Sequence, residues 1–129
     1  MRELIAVPVI DIEIVQSDDA APPDASLTQA LADAAGRVLG SAPGRTWVRV
    51  RTLAASRYAQ NEATLAADEL PVFVAVLHAR LPPSDALATE VAALTRALAT
   101  CLGRAPDRVH VQYAPPGAGR QAFGGRLVR

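Results

Sequence analysis

The sequence predicts an α/β (α+β) domain, a tandem β-α-β repeat whose four-stranded mixed sheet carries two helices on one face. Three observations predict it. Val- and Ile-rich runs and helical apolar stripes follow each other in the same order twice. The two passes keep one spacing. Sixty-three residues separate Pro8 from Pro71 and Leu39-Gly40 from Leu102-Gly103, and "GSAPGR" aligns with "GRAPDR". Strand, helix and strand in succession close as a parallel pair with a right-handed crossover. The expected organisation is a short N-terminal extension, 1–7, ahead of one domain, 8–129, made of halves 8–70 and 71–129.

"PVIDIEIV" is dense in β-branched residues and reads as a buried strand. "SDDAAPPDA" is a loop. Ser26 is the expected cap of a helix with Leu27, Leu31, Ala34, Ala35, Val38 and Leu39 on one face; Gly40 closes it and Pro43 stops it. "TWVRVRTL" alternates, with Trp47, Arg49 and Arg51 on one side and Val48 and Val50 on the other. After a polar stretch the pattern restarts at "PVFVAVLHARL". Pro82 and Pro83 end that strand, and Ser84 is the expected cap of a second helix striped by Leu87, Val91, Leu94, Leu98 and Leu102. Gly103 and Pro106 follow, then the alternating "RVHVQY". With both helices on one face, the other face is bare. Alternating apolar residues on it need cover, so oligomerisation is expected.

Composition narrows the function classes. The chain has 129 residues, half of them hydrophobic, and a mean hydropathy of +0.17, which suits one modest core and excludes a disordered chain. No apolar run reaches the roughly 18 residues of a membrane helix. The N-terminal apolar stretch is broken by charges and lacks a small-residue cleavage site, so it reads as strand rather than signal peptide. Formal net charge is zero, which gives no footprint for nucleic acid. Every basic residue among the 13 Lys and Arg is Arg, the better fork for carboxylates. A single Cys, Cys101, excludes an internal disulfide and a cysteine zinc site. A cytoplasmic location is expected.

"PVIDIEIV", "VLHARL", "APDRVHVQY" and the Gly-rich "FGG" hairpin, in that order within a tandem β-α-β repeat, resemble the tautomerase superfamily. The resemblance covers nearly the whole chain from Pro8 onward. It implies the tautomerase fold, a homotrimer with inward-facing sheets, and no metal or organic cofactor. It also implies chemistry at an N-terminal proline, whose secondary amine moves a proton between carbon and oxygen of a small keto or enol carboxylate. Decarboxylase-like and hydratase-like members use the same amine as an acid.

Pro8 is the residue that resemblance assigns to catalysis. As a first residue it has a basic ring nitrogen that a dry pocket and neighbouring Arg can tune. As an internal residue it is a tertiary amide with neither lone pair nor proton to give. Both states are open from sequence. Arg2 is too bulky for ordinary removal of Met1, which keeps the extension, with "ELIAV" lengthening the first strand. Initiation at the Val7 codon would instead leave Pro8 first. The internal state motivates a third reading beside isomerase and decarboxylase or hydratase: a non-catalytic binding trimer.

The resemblance places Arg80, near the end of the third strand, beside the amine, where it holds a substrate carboxylate. The resemblance also implies Arg49, in the "VRV" stretch, as the second carboxylate ligand, with Arg51 its reserve. His110 and Gln112 fall where related proteins place a Tyr and an Asn that reach a neighbouring subunit's pocket. Ser41 stands where such proteins carry a lysine. Tyr58 and Phe123 read as apolar walls or packing residues, and His78 as a structural histidine.

Overall fold

The computed structural model describes residues 7–129. In chain order it contains β1 (Val9–Gln16), α1 (Ala25–Leu39), β2 (Trp47–Ala54), β3 (Val72–Leu77), α2 (Ser84–Leu102) and β4 (Val109–Tyr113). A terminal hairpin of β5 (Ala122–Phe123) and β6 (Arg126–Leu127) follows. The sheet order is β2-β1-β3-β4. β1 and β2 are parallel, β3 and β4 are parallel, and the central pair β1–β3 is antiparallel. This is the four-stranded mixed sheet that a duplicated β-α-β unit predicts. The two units join head to tail, so the start of β1 lies at the end of β3.

Both helices cover one face. Ile10, Ile12, Ile14, Val72, Val74 and Val76 meet Leu31 and Ala35 of α1 and Leu94 and Leu98 of α2 in one cluster. Removing such side chains from water contributes about 1.5–3 kcal/mol each. The period-2 runs and 3.6-residue stripes are the two halves of this interface. Both helices end alike. Gly40 and Gly103 each sit at φ +64°, and the next amides, of Ser41 and Arg104, return to Gly36 O and Ala99 O.

Three expectations are corrected. The cap of α1 is Asp24, whose Oδ1 accepts from Leu27 N at 2.9 Å; Ser26 lies inside the helix and donates its hydroxyl to the same oxygen. Ser84 is likewise inside α2, whose cap position is Pro83 with no side-chain hydrogen bond, because the Pro82-Pro83 pair already fixes the entering backbone. The bare face is not a plain apolar surface. Asp11, Glu13, Arg49 and Arg51 lie on it beside Trp47, Phe73, His110 and Gln112, because the register pairs Asp11 with Arg49 and Glu13 with Arg51. The expectation that "ELIAV" lengthens the first strand falls, Val7 apart, outside the described residues, as does the assignment of Met1. Val7 is buried at 2 % exposure, and β1 begins at Val9. Among the described residues no helix is long and apolar enough to cross a membrane.

Candidate functional site

The site residues expected from sequence fall into two groups. Pro8 and Arg80 lie at one end of the sheet. Pro8 is half-buried just before β1, and its carbonyl accepts from Trp47 N at 3.0 Å. Its ring nitrogen is joined to the carbonyl of Val7 and is an amide in this chain. Trp47 is 47 % exposed, donates Nε1 to Gly44 O at 3.0 Å and meets the edge of Phe123 at 5.3 Å. Phe123 is brought there by the hairpin, whose Gly124 and Gly125 both take positive φ. The segment after β4 closes over the same end. Gly117 N donates to His78 O at 2.8 Å and Ala118 N to Ala79 O at 3.0 Å. Arg80 follows, exposed, its Nη2 donating to the main-chain oxygen of Arg129 at 2.5 Å.

Arg49, Arg51, His110 and Gln112 form the second group, on the bare face. Arg49 grips Asp11 with two bonds, Nε at 2.5 Å and Nη2 at 2.8 Å. Arg51 Nε reaches Glu13 at 3.1 Å. The hydrogen bond from Arg49 holds the Asp11 carboxyl below its ordinary range, and Asp11 in turn raises the Arg49 guanidinium. The fork of Arg49 is thus occupied by Asp11. His110 is exposed and its ring centroid lies 5.8 Å from Phe73, which packs 5.7 Å from Tyr58. Asp11, Arg51, Phe73, His110 and Gln112 border a concavity of about 460 Å³. Among the described residues no hydrogen bond or ion pair joins this group to Pro8 or Arg80.

A third cluster escaped the sequence reading. His78, Glu90 and Tyr113 meet beneath the sheet end that carries Pro8. His78 Nε2 lies 2.9 Å from Glu90 Oε2, Tyr113 OH donates to the same oxygen at 2.7 Å, and the two rings stack at 5.9 Å with 13° between planes. The side chains of His78 and Glu90 are only 12 % and 16 % exposed. Burial first, then the bond to Glu90, pushes the Tyr113 phenol far above its ordinary value and keeps it a donor. The sequence signal was Glu90 itself. It sits three residues after Leu87 and four before Leu94, inside the core-facing stripe of α2, where a carboxylate needs partners.

No family model and no curated protein matches the sequence. Solved structures do. A fused 4-OT, a symmetric trimer, superposes over 93 % of this chain and 94 % of its own at 20 % identity and a TM-score of 0.72. A malonate semialdehyde decarboxylase matches over 92 % of both chains at 17 % identity and a TM-score of 0.65. The macrophage migration inhibitory factor of Trichinella spiralis matches over 92 % of this chain and 98 % of its own at 15 % identity and a TM-score of 0.66. The chain has the tautomerase fold. Within the tautomerase fold the antiparallel β1–β3 pair makes two pseudo-equivalent sheet ends, one beginning at Pro8 and one at Pro71. They are finished differently. At the Pro71 end Arg104 donates to Leu70 O at 2.8 Å and Val15 O at 2.9 Å. At the Pro8 end the corresponding residue is Ser41, whose hydroxyl contacts Thr46 Oγ1 instead.

Proposed function

We propose that the protein is a homotrimeric tautomerase-like isomerase that moves a proton between carbon and oxygen of a small keto or enol carboxylate. Pro8 is the base where it is the first residue. Arg80 holds the substrate carboxylate, with Arg49 or Arg51 as a second ligand once released from Asp11 or Glu13. His110 and Gln112 of a neighbouring subunit polarise the enol oxygen. The observation that carries this reading is the placement of Pro8 and Arg80 at one sheet end of a chain with the tautomerase fold. A positioned base of this kind contributes about 10²–10⁴ in rate.

The test uses a chain beginning at Pro8. Ketonisation of phenylenolpyruvate or 2-hydroxymuconate, abolished by Pro8→Ala, is the expected result. Absence of turnover with either substrate refutes the reading. Intact-mass analysis of the native protein decides whether Pro8 is ever first.

A decarboxylase or hydratase reading is favoured by Arg80 and by the likeness to a malonate semialdehyde decarboxylase. Release of carbon dioxide from malonate semialdehyde distinguishes it. A binding trimer without turnover is favoured by the burial of Val7 ahead of Pro8. It is supported by a full-length chain that binds carboxylates and converts none.

A further inference from the structure

We propose that His78 is the proton-transferring base in the chain that retains the residues ahead of Pro8, with Glu90 and Tyr113 as its positioning residues. The inference rests on the reading of this sheet end as a keto–enol site and assigns that site a different base.

In the chain as it stands the ring nitrogen of Pro8 is acylated and has no lone pair. A base must come from elsewhere at that end. The register supplies one. Val9 is the last residue of β1 paired with β3, and its partner is Leu77. Extending that register one residue beyond the paired segment sets Pro8 opposite His78, and opposed residues of an antiparallel pair lie roughly 4.5–5.5 Å apart at Cα with side chains on one face.

The orientation of the imidazole follows from its partner. A carboxylate only accepts, so Nε2 of His78, 2.9 Å from Glu90 Oε2, carries the proton. In the neutral form of the ring the lone pair is then on Nδ1. Among the described residues Nδ1 has no hydrogen-bond partner. Tyr113 holds Glu90 from the other side and stacks on the imidazole, so carboxylate and ring are both fixed. A ring nitrogen held free by a carboxylate on the opposite nitrogen is the general arrangement of an activated base. His78 also stands two residues before Arg80, to which the proposed function gives the substrate carboxylate.

The ligand class is a 2-hydroxy-2-enoic acid and its 2-oxo tautomer. In ketonisation, Nδ1 accepts the enol O–H proton, and the electron pair of that bond stays on the oxygen of the enolate. An oxygen pair then becomes the second C–O bond as the C=C pair takes the proton back from Nδ1 at the adjacent carbon. The imidazolium formed between these events is balanced by Glu90. Atoms and electrons are conserved within one substrate, and no co-reactant enters.

A purely structural role, partnering a carboxylate in the stripe of α2, predicts a different outcome, and the test separates the two. The full-length chain, its mass verified, is assayed with phenylenolpyruvate. The expected result is turnover whose kcat falls about 100-fold in His78→Gln, with KM little changed, since the imidazole does not hold the carboxylate. Glu90→Gln lowers kcat by less. Nitrogen-15 spectra of the unsubstituted chain do not depend on the folding of any variant. They are expected to show His78 protonated at Nε2 and bare at Nδ1, with Nδ1 shifting on addition of oxalate. Turnover unaffected by His78→Gln, a ring protonated at Nδ1 alone, or an inert full-length chain overturns the assignment. If the full-length chain is inert while the chain beginning at Pro8 is active, only the His78 assignment falls. If both are inert, the isomerase reading falls with it.

Discussion

Replacing Arg104 by Met removes a guanidinium while keeping most of its apolar stem, and so isolates what that group does for the fold. Arg104 donates to Leu70 O at 2.8 Å and to Val15 O at 2.9 Å, which ties the residue before Pro71 to the C-terminal part of β1. Its burial, which lowers the pKa of the guanidinium, places these bonds partly out of water. Hydrogen bonds to charged groups contribute about 1.5–3 kcal/mol each, so two give roughly 3–6 kcal/mol before solvent is considered. Arg104 is only half-buried, and water can satisfy part of what the substitution exposes. The expected loss is therefore about 2 kcal/mol. For a chain of this size that lowers Tm by about 8 °C. Thermal and urea unfolding at one fixed protein concentration measure it, since assembly makes Tm concentration-dependent. Ser41→Ala is the matched change at the other sheet end, where the hydroxyl meets only Thr46 Oγ1; its expected cost is about 1 kcal/mol or less. A loss below about 0.5 kcal/mol for Arg104→Met would mean that the strap is replaced freely by water, and the reasoning fails.

The helix ends and the charged face give two further expectations. Gly40 and Gly103 share φ +64°, and an added Cβ meets nothing within 4 Å at either. Each Gly→Ala change therefore costs backbone strain alone, about 1 kcal/mol, and the two costs should agree within experimental error; a large difference in urea midpoints refutes that equivalence. Asp11, held below its ordinary pKa chiefly by the hydrogen bond from Arg49, contributes stability that is present above its unfolded pKa of about 3.9 and lost as pH falls through its folded value. Acid titration of stability should show this component in the native chain and lack it in Asp11→Asn; identical acid profiles would remove Asp11 from the account.

Local pattern carried most of the fold. Leu27, Leu31, Ala34, Ala35, Val38 and Leu39 all lie in or against the core, as their spacing requires, and Gly40 and Gly103 close their helices. The helix starts were less legible. Asp24 and Ser26 are both good caps, and two residues decide between them only once the path out of Pro22-Pro23 is fixed. The site was legible as residue types but not as partners. "VRVR" announces two arginines on one strand face, yet only the β1–β2 register sets Arg49 against Asp11 and Arg51 against Glu13. Glu90 looked like one more helix carboxylate until α2 docked it between His78 and Tyr113.

Sequence by itself determined the duplicated β-α-β plan and the core faces, because periodicity and glycine caps are local properties. Tertiary structure alone decided which sheet end Arg104 straps, which carboxylates occupy Arg49 and Arg51, and that His78 and Tyr113 share the carboxylate of Glu90. Those contacts join residues far apart in the chain, and their geometry is set by strand register and helix docking rather than by any neighbouring residue.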